Sequence, residues 1–189
     1  MESIVNTLHR GGTLLYPTDT IWGIGCDATN PSAIEKLYLI KQRDHSKSML
    51  ILCADEEMVR SFIPQPDHKA LDLLLHSSRP TTVIFPCASG LPDNLLAADG
   101  SIGIRIPYTG PTDDGQRLSG SVFCHELLKA FGRPIVSNLA TTERIARHIF
   151  SICAECCDLI DGVYAIVTYH EKRIRIASIF AATGQRPTN

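Results

Sequence analysis

Short apolar stretches of strand-like composition alternate along the chain with longer stretches in which apolar residues recur every three or four positions. Neither kind of segment buries its apolar face alone, and such an alternation is typical of a β-sheet covered by helices. The 189 residues contain no internal repeat and no low-complexity linker. We therefore expect one domain over residues 1–189, with a strand order that the spacing alone does not give.

Capping residues and periodicity set the bounds of the predicted elements. Ile4, Val5 and Leu8 predict a first helix that ends at Gly11-Gly12. Asn30 followed by Pro31 predicts the start of a second helix, which runs to Lys41. Further helices are expected at 55–62, 67–76, 123–131 and 141–156, strands at 13–16, 48–53, 81–85, 102–106, 135–136, 163–168 and 174–180, and a long polar loop at 109–121.

Charge and cysteine content restrict the class of protein. The 18 basic and 20 acidic residues give a net charge of −2, so nucleic-acid binding would need a local basic patch. The cysteine count, seven, is odd, and Met1-Glu2-Ser3 does not begin a cationic, apolar leader, so a reduced cytoplasmic location is expected. No apolar run reaches the roughly 18 residues of a membrane-spanning helix, so no membrane partner is expected.

Familiar metal and nucleotide motifs do not account for the chain. Cys153-x-x-Cys156-Cys157 lacks the further ligands that a zinc site needs, so we expect a structural role for it and no metal site. The signatures of P-loop ATPases, Rossmann dehydrogenases, serine hydrolases and zinc peptidases are absent from the sequence. A bound nucleotide would therefore be held in another way.

The segment from Tyr16 to Gly25 carries the strongest signal for a binding site. Its sequence, Tyr-Pro-Thr-Asp-Thr-Ile-Trp-Gly-Ile-Gly, continues a short apolar strand into a turn rich in hydroxyls and glycines. Hydroxyls and exposed backbone amides suit a small polar ligand. Cations follow the next predicted helix, and cations suit a phosphate. Together these features predict a site that holds a nucleotide beside a small polar molecule.

Lys41, Arg43, His45 and Lys47 occupy every second position after that helix. This spacing does not fit one helix face, but it fits a helix end that continues as an extended segment, where alternate side chains share a face. Cations so close together repel one another unless an anion lies between them. The alternative interpretation is a solvated surface run.

Two strand ends carry further candidates. Arg105 alternates with Ile104 and Ile106, so it faces either a cleft, where it can bind a carboxylate, or the solvent. Ser137-Asn138 comes after the predicted strand 135–136, at a junction with a helix. Free amides and hydroxyls at such a junction bind phosphate or simply cap the helix.

These segments resemble the YrdC/Sua5 family. Tyr16 to Gly25 matches the family's opening pattern Pro-Thr-(Asp/Glu)-Thr-x-(Tyr/Trp)-Gly-(Ile/Leu)-Gly, and Lys41-Gln42-Arg43 matches its Lys-x-Arg motif. The resemblance implies an α+β fold, with an open twisted mixed β-sheet flanked by helices and a concave cationic cleft. It also implies an enzyme that makes threonylcarbamoyl-AMP from L-threonine, bicarbonate and ATP for the modification of tRNA.

The resemblance also implies roles for individual residues. Lys41 and Arg43 would be the catalytic cations on the ATP phosphates, with Lys47 beside the same cleft. Thr18 and Thr20 would help to orient threonine.

By the same resemblance, Arg105 would bind the carboxylate of threonine. The remaining binding residues implied are Thr82, Ser137, Asn138, Thr141 and Ser178. ATP is expected to bring Mg²⁺. The expected macromolecular partners are tRNA or double-stranded RNA, and the proteins that transfer the product to tRNA.

The sequence departs from the family pattern at two places. The family has Ser-Thr-Ser-Ala-Asn where this chain has Ser137-Asn138-Leu139-Ala140-Thr141, so Leu139 replaces a hydroxyl and Thr141 replaces an amide. Of the late motif Pro-Ser-(Ser/Thr)-(Ile/Val), the chain keeps Ser178 but not the proline. One lost hydrogen bond to a charged group costs about 1.5–3 kcal/mol. Two alternatives therefore stay open: a non-catalytic RNA-binding paralogue, and a carbamoyl-adenylate enzyme for another amine.

Overall fold

The computed structural model describes residues 1–19, 22–44, 48–110, 119–139, 163–170 and 173–181. The helices are α1 (Glu2–His9), α2 (Pro31–Lys41), α3 (Glu56–Phe62), α4 (His68–His76) and α5 (Ser119–Phe131). The strands are β1 (Thr13–Tyr16), β2 (Gly23–Asp27), β3 (Leu50–Leu52), β4 (Val83–Phe85), β5 (Ile102–Arg105), β6 (Ile135–Leu139), β7 (Val163–His170) and β8 (Arg173–Ala181).

The described strands form one mixed sheet in the order β4-β5-β3-β6-β2-β1-β7-β8. Among these strands β3 and β5 pair in parallel, and all other neighbours pair antiparallel. The expected α+β fold, with an open mixed sheet flanked by helices, is thereby confirmed. No helix within the described ranges is both long and apolar enough to cross a membrane.

Two apolar clusters lie on opposite faces of the sheet. Because neighbouring residues in a strand point to opposite faces, Leu15 belongs to one cluster and Leu14 to the other. The first cluster packs α2, α3 and α4 against the sheet, and the second packs α1 and α5 against the other face. The sheet therefore has a helix layer on each side.

Side-chain caps account for the helix starts that the sequence predicted. The side chain of Asn30 accepts a hydrogen bond from the backbone N–H of Ala33, and Pro31 occupies the first turn. Asp55 and Asp67 cap α3 and α4 in the same way. These predictions are confirmed to within one residue at the start of each of the three helices.

Three predicted boundaries were wrong by three residues or more. Residues 23–25, predicted to belong to the turn rich in hydroxyls and glycines, instead begin the buried strand β2, which lies between β1 and β6. The helix predicted to begin at Phe123 begins at Ser119, inside the segment predicted to be a loop. The strand predicted to end at Val136 continues to Leu139, because β3 pairs with it as far as Ser137 and β2 pairs with it as far as Leu139. The predicted helix 141–156 lies outside the described residues.

The glycine at position 25 allows β2 to lie close to its neighbours. A Cβ on Gly25 would overlap the carbonyl oxygen of Val136 and would lie 3.0 Å from the hydroxyl of Tyr16. Gly103 occupies the same row of the sheet, but a Cβ there would meet Thr82 and Leu50 at 3.3 and 3.4 Å. Gly25 is thus fixed by backbone contact, whereas Gly103 is not.

We expect Gly25→Ala to lower the free energy of unfolding by about 2–3 kcal/mol, because the overlap with a carbonyl requires the backbone to move. Gly103→Ala is the matched control and is expected to change stability by less than about 1 kcal/mol. Urea denaturation followed by circular dichroism measures both. Equal losses of stability in the two variants would contradict this prediction.

Candidate functional site

A pocket opens on the sheet face that carries α1 and α5. It is lined by Thr18, Asp19, Gly23, Leu50, Leu52, Arg105 and Ser137. Strand register explains why these side chains meet: Leu52 pairs with Arg105, and Leu50 pairs with Ser137. Paired residues on adjacent strands share one face, so β5, β3 and β6 together supply one wall of the pocket.

The turn after β1 supplies the other wall, and α5 holds this turn in place. A Cβ on Gly120 would overlap the carbonyl oxygen of Thr18, so the first turn of α5 lies directly against the Thr18 backbone. One helical turn later, the thiol of Cys124 donates a hydrogen bond to the carbonyl of Pro17, with 3.3 Å between the heavy atoms. Small residues at these two positions let the helix approach the turn closely.

An ion pair joins the two walls. Nη1 of Arg105 lies 3.2 Å from Oδ1 of Asp19, and the side chains are 17% and 1% exposed. The other carboxylate oxygen, Oδ2, accepts a hydrogen bond from the backbone N–H of Tyr108 at 3.3 Å. Nε of Arg105 donates to the hydroxyl of Thr82 at 3.0 Å. The guanidinium is therefore held from two sides.

These contacts leave part of the guanidinium available. Arg105 has five N–H donors, and the described residues use one at Nε and one at Nη1. Nη2 and the second hydrogen of Nη1 have no acceptor in the part of the chain that the structure describes. A guanidinium so placed can bind a carboxylate through two parallel hydrogen bonds.

Tyr16, at the end of β1, lies close to Ser137 but is not among the residues that line the pocket. Its side chain is fully buried, and burial raises the pKa of its hydroxyl well above the ordinary value. Its ring lies next to Gly25, where a Cβ would come within 3.0 Å of it. The Tyr16 hydroxyl is thus kept neutral by burial, and its ring fills the space that Gly25 leaves open.

Lys41 and Arg43 lie at the C-terminal end of α2, where the helix stops at Gln42 in a left-handed conformation (φ 48°). Lys41 is buried, with 8% of its surface exposed, and its pKa is lowered by burial and by the charge of Arg43. Nη2 of Arg43 donates to the carbonyl of Ser48 at 3.0 Å. The structure thus brings the two predicted catalytic cations close to each other, although neither lines the pocket around Arg105.

The predicted residues of β6 are separated by the sheet. Ser137 lines the pocket and pairs with Gly25, whereas Asn138 pairs with Ile24 on the opposite face. Both residues lie within the strand, so the prediction that Ser137-Asn138 follows the strand was wrong.

Other predicted site residues lie elsewhere. The backbone of Ser178 lies in β8, and β2, β1 and β7 separate it from Ser137 in β6, a distance of about 19 Å at the usual strand spacing. Thr20, Lys47 and Thr141 lie outside the described residues, and their roles stay predictions.

Sequence reasoning missed Asp19 as a site residue. The available signal was its position as the single acid within the hydroxyl-rich turn, where a buried acid needs a cationic partner. The partner, Arg105, lies 86 residues away in the sequence. The pairing depends on the fold and could not be identified from the turn alone.

The described cysteines are free thiols. Burial raises the pKa of Cys53 to about 12, and it also raises the pKa of Cys26 and Cys124. Cys87, in contrast, is exposed. Within the described ranges, no three residues of the metal-binding types lie together.

The chain belongs to the Sua5/YciO/YrdC family, whose model, described as telomere recombination, matches residues 6–187. Threonylcarbamoyl-AMP synthase of Marinobacter nauticus is 29% identical over 161 residues, which are 83% of this chain and 78% of that protein. The synthase of Stenotrophomonas maltophilia is 27% identical over 168 residues, or 86% of this chain and 84% of that protein. The expected family membership is thus confirmed.

Solved structures share the fold. P. abyssi Sua5 complexed with L-threonine aligns with a TM-score of 0.62 and 18% identity, over 72% of this chain and 37% of that one. E. coli YciO aligns with a TM-score of 0.59 and 23% identity, over 75% of this chain and 64% of that one. The chain therefore spans well under half the length of Sua5.

We expect Arg43→Gln to raise the pKa of Lys41, because the substitution removes a positive charge that disfavours the protonated amine. A pH titration of ¹³Cε signals in lysine-labelled protein measures the pKa, and Lys41→Met identifies the signal. Arg60→Gln is the control, because Arg60 pairs with Glu56 on α3 and does not act on Lys41. A Lys41 pKa that is the same in wild type and in Arg43→Gln would contradict this assignment.

Proposed function

We propose that the protein is a threonylcarbamoyl-AMP synthase that acts in the modification of tRNA. The observation that carries this proposal is Arg105, a guanidinium fixed by Asp19 and Thr82 at a small pocket and left with donors for a carboxylate. The similarity to threonylcarbamoyl-AMP synthases from several bacteria supports the same substrate class.

L-Threonine would bind in the pocket through its carboxylate on Arg105. Thr18 and Ser137 line the same pocket, and their side chains would offer hydrogen-bonding groups to the rest of the molecule. Leu50 and Leu52 provide an apolar surface for its methyl group. A lining that combines the Asp19–Arg105 ion pair with Thr18, Ser137 and two leucines suits a small amino acid.

ATP would bind with its phosphates near Lys41 and Arg43. Burial is the main cause of the lowered pKa of Lys41, and repulsion by Arg43 adds to it. An anion placed between the two cations would relieve this repulsion, so the pair suits a phosphate. Magnesium is expected to arrive with ATP, coordinated mainly by phosphate oxygens and water.

The reaction would need positioning and charge neutralisation more than a nucleophilic side chain. The amine of threonine adds to carbon dioxide, formed by dehydration of bicarbonate, and loses a proton to give a carbamate. A carbamate oxygen then attacks the α-phosphate of ATP, and the bond to pyrophosphate breaks. Lys41 and Arg43 would stabilise the charge that develops on the phosphates, while Arg105 holds the carboxylate. Other proteins would then transfer the threonylcarbamoyl group to tRNA.

Leu139 favours one alternative, a non-catalytic protein that binds tRNA or double-stranded RNA. The family pattern has a hydroxyl at this position, and its replacement by leucine removes a hydrogen-bonding group from the region that would hold the nucleotide. An RNA-binding paralogue would keep the cations and lose nucleotide chemistry.

Release of pyrophosphate from ATP, with bicarbonate and magnesium and with or without L-threonine, tests the proposal. Threonine-dependent release is the expected result. If folded protein releases nothing above background, the synthase proposal fails. Salt-dependent binding to tRNA would then support the alternative.

Two substitutions are expected to affect this assay differently. Lys41→Ala should lower kcat by about 10²- to 10³-fold, because a cation that stabilises developing charge is lost. Arg105→Lys should mainly raise the KM for L-threonine, by about 10-fold or more, because lysine cannot form the paired hydrogen bonds of a guanidinium. Lys69→Ala on the exposed side of α4 is the control for unspecific effects of charge removal. A loss of the same size in all three variants would argue against these roles.

A further inference from the structure

The carboxylate of Asp19 is the least expected group in the pocket. A buried acid is costly unless its charge is balanced, and here Arg105 and the N–H of Tyr108 supply that balance. Each carboxylate oxygen can accept two hydrogen bonds, and the described contacts account for one at each oxygen. Asp19 therefore keeps accepting capacity on a surface that lines the pocket.

The ion pair makes the inner end of the pocket electrically neutral. Cys124, buried on the α5 side, experiences both charges, since Asp19 acts to raise the pKa of its thiol and Arg105 acts to lower it. Because the side chains of Asp19 and Arg105 are 1% and 17% exposed, the two charges lie in an environment in which interactions are stronger than in water. A ligand with a single negative charge would gain from Arg105 and lose from Asp19.

From this geometry we propose that Asp19 determines specificity by binding the ammonium group of a zwitterionic α-amino acid whose carboxylate lies on Arg105. This inference rests on the proposed function and names the residue that recognises the amine. The ammonium of the ligand then faces Asp19 and its carboxylate faces Arg105, whereas a carboxylic acid without the amine places a second negative charge beside Arg105 and brings no cation to Asp19. Asp19 would also keep Arg105 in place, but that role alone would not distinguish the two kinds of ligand.

A comparison of L-threonine with 3-hydroxybutyrate, which is threonine without its α-amino group, separates the two roles. Isothermal titration calorimetry of wild-type protein is expected to give tighter binding of threonine. Asp19→Asn should weaken threonine binding by about 10-fold or more beyond any change in 3-hydroxybutyrate binding, because the ammonium contact is made by threonine alone, whereas a displaced Arg105 would affect the carboxylates of both ligands. If Asp19 merely positioned Arg105, both ligands would lose affinity by the same factor.

Asp27→Asn is the matched control. Asp27 is also buried and also paired with an arginine, Arg133, at 3.1 Å, but it does not line the pocket. The Asp27→Asn variant should be less stable than the wild type, but the ratio of its affinities for L-threonine and 3-hydroxybutyrate should be unchanged. Asp19→Ser is a second uncharged variant for use if Asp19→Asn does not fold, as judged by circular dichroism.

The outcomes distinguish this inference from the proposed function. Wild-type protein that does not bind L-threonine would overturn both. If the wild type binds threonine but Asp19→Asn leaves the ratio of the affinities for threonine and 3-hydroxybutyrate unchanged, only the role of Asp19 is overturned. Equal affinity of the wild type for the two ligands would overturn it as well.

Discussion

The ion pair between Asp19 and Arg105 holds the candidate site together. Asp19 belongs to the turn after β1 and Arg105 ends β5, with β2, β6 and β3 lying between these strands in the sheet. The turn must therefore extend over the face of the sheet to make this contact. A buried ion pair contributes little net stability because both charges lose their hydration. The ion pair instead fixes the relative position of the Arg105 guanidinium and the Asp19 carboxylate, which face the same small pocket.

Close backbone approach makes this geometry possible. Gly25 lets β2 lie against β6 and leaves space for the Tyr16 ring, and Gly120 lets α5 lie directly on the Thr18 backbone. Each glycine removes a side chain where another backbone occupies the space, so the walls of the pocket are set by main-chain contacts. The site thus depends on packing between elements that are far apart in sequence.

Much of the architecture follows from local chemistry that is visible in the sequence. Three helices begin within one residue of their predicted starts, and each is capped by a side chain, that of Asn30, Asp55 or Asp67. Such a cap can be read from the sequence because its side chain bonds backbone N–H groups only two or three residues further along the chain. Strand β2 was missed because its sequence, Gly-Ile-Gly-Cys-Asp, lacks the composition of a typical strand and is stabilised by neighbours on both sides. The same dependence on neighbours extended β6 beyond its predicted end.

For the site, the sequence by itself determined which chemical groups are available: the hydroxyl-rich turn with Thr18, the cations Lys41 and Arg43, and an arginine at the end of a strand. The tertiary structure alone decided which of them meet. It placed Arg105 against Asp19 and Ser137 in the pocket, and it turned Asn138 to the opposite face. The physical reason is that caps and periodicity act over a few residues, whereas strand register and the pairing of buried charges join residues that only the folded chain brings together.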